Sequence, residues 1–208
     1  MQFNGSIGRL EINVDVRAFV AGAVLFVLLL NLGFWQLGRA DEKNVLQTRW
    51  EARSVLPAVT PVALLETPDV SQYADRRVSW LGVLDPEAYV LLDNRLHRGR
   101  VGYHVVALIQ TDDWSVPVNL GWLAGDPSRR TAPVVSLIGG PALIEGQVYV
   151  PSAKPIMMVE QLPPDHLPAT VQTLYWDQWF DTLAALTDQS IFPYEVRIDP
   201  ASPLALVA

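Results

Sequence analysis

Residues 18–38 read AFVAGAVLFVLLLNLGFWQLG, and this run of 21 residues contains no charged side chain. As an α-helix with a rise of about 1.5 Å per residue it is roughly 30 Å long, the thickness of the hydrocarbon core of a bilayer. The run includes Phe34 and Trp35 near its end, aromatic side chains of the kind that lie at the level of the lipid headgroups. We therefore predict a transmembrane helix over residues 18–38, preceded by a tail at residues 1–17.

The alternative interpretation of this run is a cleaved secretory signal, for which Gly38 and Ala40 provide a weak small-x-small cleavage site. The apolar core of such a signal is usually about 7–15 residues long, which is shorter than the run observed here. A retained membrane anchor is therefore favoured over a cleaved signal.

The distribution of basic residues leaves the side of the membrane open. Two arginines precede the apolar run, and four basic residues follow it in a window of similar length. Taken literally, the positive-inside rule keeps the large domain in the cytoplasm, but the rule is weak for long translocated domains.

The composition limits the function classes of the remaining chain. A net charge of −7 and an isoelectric point of about 4.9 argue against nucleic-acid binding, which needs a basic surface. The chain has no cysteine, so it has no disulfide, no thiolate metal ligand and no cysteine nucleophile. About 170 residues follow the apolar run, enough for one domain with a hydrophobic core.

Residues 40–54 contain strong helix formers without glycine or proline, so we expect the helix to continue out of the membrane. Prolines at positions 57, 61 and 68 then end helical structure. We assign residues 39–76 to a helical extension followed by an irregular linker.

From Arg77 onward, apolar residues recur with the period of two that is typical of strands. Strands are predicted over residues 78–84, 88–94, 101–111, 115–124, 142–152, 156–161, 171–176 and 192–199. A short helix over residues 178–187, with Asp177 as its N-cap, precedes the last strand. Pro117 has no N–H to donate, so we expect its strand to lie at an edge or to carry a bulge there.

The predicted fold class is α+β: an N-terminal transmembrane helix is followed by a mainly antiparallel β domain with one short helix. The β-rich extramembrane domain is predicted over residues 77–200, and residues 201–208 form a C-terminal tail. No internal repeat is present in the sequence.

The sequence contains no nucleophile elbow, phosphate-binding loop, zinc-binding HExxH helix or dinucleotide fingerprint. His97, His104 and His166 lie in a predicted turn, strand and proline-rich loop, without the helical spacing of a metal site. His104 alternates with Val106 and Leu108, so a packed or hydrogen-bonded strand histidine is favoured over a metal or haem ligand. We therefore expect a protein that is not an enzyme, and we assign no catalytic, metal or cofactor-binding residue.

Two clusters contain residue types that core packing explains poorly. Trp35, Gln36 and Arg39 at the membrane exit form either a headgroup anchor or a contact with a helix of another membrane protein. The second cluster comes from the middle of the chain: Asp93, Asn94, Arg95, Gly99, Gly102, Tyr103, Asn119, Gly121 and Trp122. Asp93 and Arg95 are two residues apart, so we expect their side chains to lie on one face and to pair. This second cluster is either a hairpin whose charges satisfy one another or a partner-binding surface.

At these clusters the sequence resembles the Surfeit locus protein 1 family, the membrane-anchored assembly factors of cytochrome c oxidase. The resemblance rests on four segments in order: GFWQLGR (33–39), LLDNRLHRGRVGYHVV (91–106), VNLGW (118–122) and FPYEVRIDP (192–200). It implies an N-terminal membrane helix and a mainly β domain on the outer, periplasmic side of the cell (inner) membrane. A second membrane helix near the C-terminus is also implied.

The resemblance implies no catalysis. It implies a role in inserting haem a into the large oxidase subunit, or in stabilising it there, with the large subunit, the assembly machinery and membrane lipid as partners. Some bacterial members are associated with haem a. By motif match, the residues of the two clusters named above belong to the family signatures.

The sequence departs from the family pattern at two places. Leu120 stands where the third motif usually has arginine, and beside Val118 and Trp122 it is expected on the core face. The sequence ends at Ala208 with SPLALVA, far short of the ~20 apolar residues of a spanning helix. We therefore expect either a truncated chain or a variant with a single anchor.

Three hypotheses about function remain open at this point. The leading one is a membrane-tethered oxidase assembly factor that acts through contacts rather than turnover. The second is a carrier that binds haem a transiently, and the third is a generic extracytoplasmic scaffold domain without a link to the oxidase.

Overall fold

The computed structural model describes residues 2–7, 10–66, 72–126, 131–151, 161–174 and 176–206. The chain divides into two compact units, Met1–Glu51 and Ala52–Ala208. The first unit begins with strands β1 (Gln2–Ile7) and β2 (Leu10–Asp15), which pair in antiparallel register. The expected tail at residues 1–17 thus contains a pair of strands, and its signal in the sequence is the alternation of apolar and polar residues along β2.

Helix α1 (Val16–Ser54) follows at once and has 39 residues, a length of about 58 Å. The apolar segment is entirely exposed in this structure, and its length and composition are sufficient to cross a bilayer. Asn31 is a polar residue within the apolar segment, and its Nδ2 donates a hydrogen bond to the carbonyl oxygen of Val27 at 2.8 Å. This bond lowers the cost of placing the amide in an apolar medium.

The second unit is built mainly from strands. Its elements are α2 (Pro61–Leu64), β3 (Arg77–Leu84), β4 (Tyr89–His97), β5 (Arg100–Gln110), β6 (Trp114–Ala124), β7 (Gly140–Tyr149), β8 (Ala169–Val171), α3 (Trp176–Thr187), β9 (Ser190–Ile191) and β10 (Glu195–Ile198). The pairing of Val83 with Gln110 joins β3 to β5 and closes the ring β3–β7–β10–β6–β5. Only the β10–β6, β4–β8 and β6–β9 pairs are parallel among the described strands. The prediction of a mainly antiparallel sheet with a short helix is confirmed.

Apolar side chains pack on both faces of β4 and β5. On the inner face of the ring, Val105 and Leu120 belong to a cluster that draws residues from all five ring strands. On the outer face, Val106 belongs to a second cluster, in which β4 and β5 pack against Trp179 and Leu183 of α3. The core position predicted for Leu120 is confirmed, since its side chain is fully buried.

Several predicted boundaries differ from the structure. The predicted strand at 171–176 is wrong beyond Val171, because β8 ends there and α3 begins at Trp176. The prediction of Asp177 as the N-cap is also wrong, since Asp177 lies inside the helix. Of the strand predicted over residues 192–199, only residues 195–198 form a strand, β10, and β9 lies just before the predicted range. Of the strand predicted over residues 156–161, residues 156–160 lie outside the described residues. Gln161 is described and is not in a strand.

The expectation for Pro117 is also wrong. Strand β6 has neighbours on both sides, and its bulge lies between Asn119 and Gly121 rather than at the proline. Pro117 falls after Ser115, which pairs with β9, and before Val118, which pairs with β10. The missing N–H is tolerated because the parallel partner of β6 changes at this point.

Candidate functional site

Two bulges shape the middle of the sheet at the sequence clusters. In β4 the register with β5 shifts between Leu92 and Arg95, and Asn94 between them has a φ of 61°. In β6 the register shifts beside Leu120, and Gly121 has a φ of 116°. A bulge bends its strand and changes the direction of the side chains that follow it.

The bulge in β4 explains why the predicted pairing of Asp93 with Arg95 is wrong. Alternation along the strand is broken between them, and the described chain shows no ion pair joining the two side chains. Instead, the backbone N–H of Asn94 donates to Asp93 Oδ1 at 2.6 Å. Arg95 Nη2 donates to the carbonyl oxygen of Gln172 at 2.9 Å.

The indole of Trp122 lies across the β4–β5 pair formed by Arg95 and Gly102. Its Nε1 donates to the carbonyl oxygen of Arg95 at 2.9 Å. A Cβ added at Gly102 would lie 2.6 Å from the indole ring and would overlap the carbonyl oxygen of Leu123. The glycine is therefore required because the carbonyl group of Leu123 and the indole of Trp122 occupy the space that a side chain would need.

The turn between β4 and β5 is tight and stiff. Arg98 and Gly99 have φ values of 49° and 76°, and two successive positive values are typical of the type I′ turn of a two-residue hairpin loop. His97, expected in a turn, is the last residue of β4, and its ring lies 5.2 Å from that of Trp122. The guanidinium of Arg100 lies 5.9 Å from the same indole.

A buried polar cluster lies on the outer face of the ring, centred on Asn119. Asn119 Nδ2 donates to Glu195 Oε1 at 2.9 Å and lies 3.2 Å from His104 Nδ1. Its Oδ1 accepts the backbone N–H of Gly121 at 3.0 Å, which fixes the orientation of the amide. The two protons of Nδ2 can therefore serve the carboxylate and the imidazole, with His104 neutral and its Nδ1 accepting.

Burial raises the pKa of Glu195, and the hydrogen bond from Asn119, together with the charges of Arg197 and Arg95, opposes this shift. Arg197 Nε lies 3.7 Å from Glu195 Oε1, and its guanidinium stacks 3.5 Å from the centre of the Tyr149 ring. Burial, followed by the charges of Arg95, Arg197 and His97, lowers the pKa of His104 to about 4. The cluster thus holds a neutral imidazole beside a desolvated carboxyl group.

The lowered pKa of His104 leads to a testable pH dependence. The unfolded chain binds the imidazole proton near pH 6.5, whereas the folded chain binds it near pH 4. The contribution of His104 to the free energy of unfolding is therefore fully present above about pH 6.5. Up to about 3 kcal/mol of this free energy is lost as the pH falls toward 4.

We expect His104→Gln to abolish this loss. Between about pH 7 and about pH 5, the free energy of unfolding of the unsubstituted chain should fall by about 2 kcal/mol relative to the variant. Denaturant titrations in detergent at both pH values measure the difference, and the opposing contribution of Glu195 is common to both chains. Parallel pH profiles for the two chains would contradict the assignment of a neutral His104.

The structure brings most residues of the second predicted cluster together. Arg95, Gly102 and Trp122 form one contact, and Asn119 and Gly121 form the buried polar cluster with two residues that the site prediction omitted, His104 and Glu195. The remaining members stand at other positions: Asn94 and Gly99 are exposed at the bulge and the turn, while Asp93 and Tyr103 line a cleft of about 320 Å³.

The first predicted cluster lies on α1, in the other unit. Trp35 and Gln36 are exposed along the helix. Arg39 Nη1 lies 2.7 Å from Glu42 Oε2, so this arginine pairs within its own helix.

A signal for the omitted residues is present in the sequence. Glu195 and Arg197 flank the buried Val196 on β10, so both charged side chains leave the strand on one face. Strand alternation therefore indicates that they are neighbours. Their contact with Asn119 depends on the β10–β6 pairing, which local pattern does not reveal.

No histidine is among the described lining residues of two clefts in the β domain, the cleft at Asp93 and a second one of about 390 Å³ beside Leu143. His104 Nδ1 is engaged by Asn119, and His166 is exposed beside Asp165. Among the residues searched, no three His, Cys, Asp or Glu side chains are grouped to hold a metal ion.

Comparison with known proteins relates this structure to one family. The model of the SURF1 family matches residues 23–203. A SURF1-like protein of Rickettsia felis is 28% identical over 102 residues, covering 49% of this chain and 44% of the relative. One of Dictyostelium discoideum is 27% identical over 126 residues, covering 57% and 47% respectively. The matched segments thus span about half the length of these relatives, but the family model covers most of this chain, which therefore belongs to the SURF1 family.

Proposed function

We propose that this chain is a membrane-attached assembly factor for cytochrome c oxidase that acts by binding rather than by turnover. The observation that carries the proposal is the family match over residues 23–203, since the SURF1 family is known generally for oxidase assembly factors. In this role the protein assists the insertion of haem a into the large subunit, or the stabilisation of that subunit.

The geometry of the signature residues supports a binding role. The side chain of Asn119 contacts both His104 and Glu195, and these contacts link strands β5, β6 and β10. The hairpin of β4 and β5 exposes Asn94 at its bulge and Arg98 at its tight turn. A recognition surface held by a rigid scaffold binds with little loss of conformational entropy.

Attachment to the membrane is the second part of the proposal. Helix α1 supplies an exposed apolar segment long enough to span a bilayer, and the amide of Asn31 within that segment donates a hydrogen bond inside the helix. We place the β domain on the periplasmic side of the cell (inner) membrane, where it covers the outer surface of the oxidase.

Deletion of the gene tests the assembly role. We expect a lower ratio of haem a to large subunit in the membranes, lower oxidase activity, and recovery of both when the full chain is restored. Oxidase subunits should also co-purify with a tagged full chain. An unchanged ratio and activity in the deletion strain would overturn the proposal, and recovery of the tagged chain without oxidase subunits would favour an unrelated scaffold domain.

The absence of cysteine from the chain allows a direct test of attachment and sidedness. Leu162→Cys places a unique thiol at an exposed position of the β domain. In intact cells with a permeabilised outer layer, a maleimide that cannot cross the inner membrane should label this thiol. Mass spectrometry of the intact protein purified from the membrane fraction should give a mass that includes residues 1–40. Protection from the reagent would reverse the topology, and loss of the N-terminus would identify a cleaved signal.

A further inference from the structure

The tip of the β4–β5 hairpin differs in charge from the rest of the chain. Residues 96–101 read LHRGRV, with two arginines, one histidine and no acidic residue, in a protein whose net charge is −7. We call residues 96–101 the basic tip. Arg98 and Arg100 are exposed, and no ion pair involves either of them in the described parts of the chain.

The basic tip also exposes two aliphatic side chains. Leu96 and Val101 are directly paired across the hairpin, and they are 71% and 39% exposed. The next pair outward, His97 and Arg100, lies on the opposite face, where both rest against Trp122. One face of the tip is therefore apolar, and the other face and the turn itself are cationic.

We propose that the basic tip docks on an anionic phospholipid surface. Arg98 and Arg100 contact headgroup phosphates, and Leu96 and Val101 enter the boundary between headgroups and acyl chains. Arginines near an anionic leaflet gain favourable electrostatic energy, and adjacent aliphatic side chains add apolar burial. The type I′ turn holds this arrangement before binding, so little conformational entropy is lost on docking.

Lipid accounts for these observations better than an acidic protein surface does. An acidic protein patch would match the arginines, but not a pair of exposed aliphatic side chains in the same turn. A bilayer surface offers phosphate and hydrocarbon within a few ångströms of depth, and arginine side chains can reach the phosphates while their stems remain in the apolar layer. The proposal rests on the membrane attachment proposed above, which brings the domain close to lipid.

The test uses the full chain and a single label on the tip. Leu96→Cys introduces the only thiol, which carries a polarity-sensitive fluorophore, and the protein is reconstituted in nanodiscs. In discs containing phosphatidylglycerol we expect a blue-shifted emission and quenching by doxyl-labelled lipid. Discs of phosphatidylcholine alone should show severalfold less quenching, and high salt should weaken the effect. Leu81→Cys, on an exposed position of β3, is the matched control, and its emission should be equal in both discs.

Charge variants identify the groups responsible. Arg98→Asn removes one charge with a residue that tolerates a positive φ, so it should reduce the quenching without loss of fold. Arg98→Glu combined with Arg100→Glu should abolish it, with the circular dichroism spectrum unchanged. Equal quenching in both lipids, or in the charge-reversed chain, would overturn the proposal. So would a response of the label only when oxidase subunits are added, since that outcome assigns the tip to a protein.

The experiment distinguishes failure of the proposed membrane attachment through α1 from failure of the proposed lipid docking by the basic tip. Co-elution of the chain with nanodiscs reports attachment through α1, whatever the label at position 96 shows. If the chain does not enter the discs, its binding to vesicles of the same two compositions decides the proposal for the tip alone.

Discussion

Replacement of Gly102 by alanine should destabilise the β domain by about 3 kcal/mol, the upper range for forcing a side chain into a packed site. The added Cβ would lie 2.6 Å from the Trp122 indole and would overlap the carbonyl oxygen of Leu123. The indole cannot withdraw without losing its hydrogen bond to Arg95, and the carbonyl belongs to the strand paired with β5. Relief therefore requires β5 and β6 to separate.

Thermal unfolding in detergent, followed by near-ultraviolet circular dichroism and tryptophan emission, measures this loss. The matched control is Gly99→Ala, because Gly99 has a φ of 76° but nothing within 4 Å of its added Cβ. That variant suffers only backbone strain, about 1 kcal/mol. A Gly102→Ala chain as stable as Gly99→Ala would show that the Trp122 contact does not constrain this glycine.

The sequence reveals the strands of this domain because their signal is local. From Arg77 to Ala124 apolar alternation and short polar turns locate β3, β4, β5 and β6 to within about three residues of the observed bounds. In α3, Trp179 and Leu183 are four residues apart and both are buried, as the helical period requires of one face. In these elements burial follows directly from the period of the chain.

The features that local pattern does not reveal arise from pairing between distant segments. Glu195 meets Asn119 only because β10 lies parallel to β6, 76 residues away along the sequence. The bulge that separates Asp93 from Arg95 depends on the register with β5, so alternation alone misplaced the two charges. The expectation of an edge position or a bulge at Pro117 is wrong because the change of partner from β9 to β10 has no local signature.

Replacement of Asn119 by leucine should cost about 3 kcal/mol of unfolding free energy at a pH where Glu195 is ionised, typical of removing a hydrogen-bond partner of a buried charge. The substitution removes the donor to Glu195 Oε1 and the acceptor for the N–H of Gly121. The hydrogen bond from Asn119 lowers the pKa of Glu195 in the unsubstituted chain, so its loss raises that pKa further. The penalty should be complete above the folded pKa of Glu195 in the variant and should shrink as the pH falls toward the folded pKa in the unsubstituted chain, because the protonated carboxyl group carries no charge.

A double-mutant cycle separates this charge effect from simple loss of packing. Adding Glu195→Leu to Asn119→Leu removes the buried carboxylate, so the double variant should be more stable than the sum of the single losses predicts, by about 1–2 kcal/mol. Ser115→Ala is the matched control, because it removes a buried but uncharged hydrogen bond to Gln189. Its loss should be about 1 kcal/mol and independent of pH. Additive losses in the cycle, or equal pH profiles for Asn119→Leu and Ser115→Ala, would mean that Glu195 is neutral in the folded chain and that Asn119 acts only as a spacer between strands.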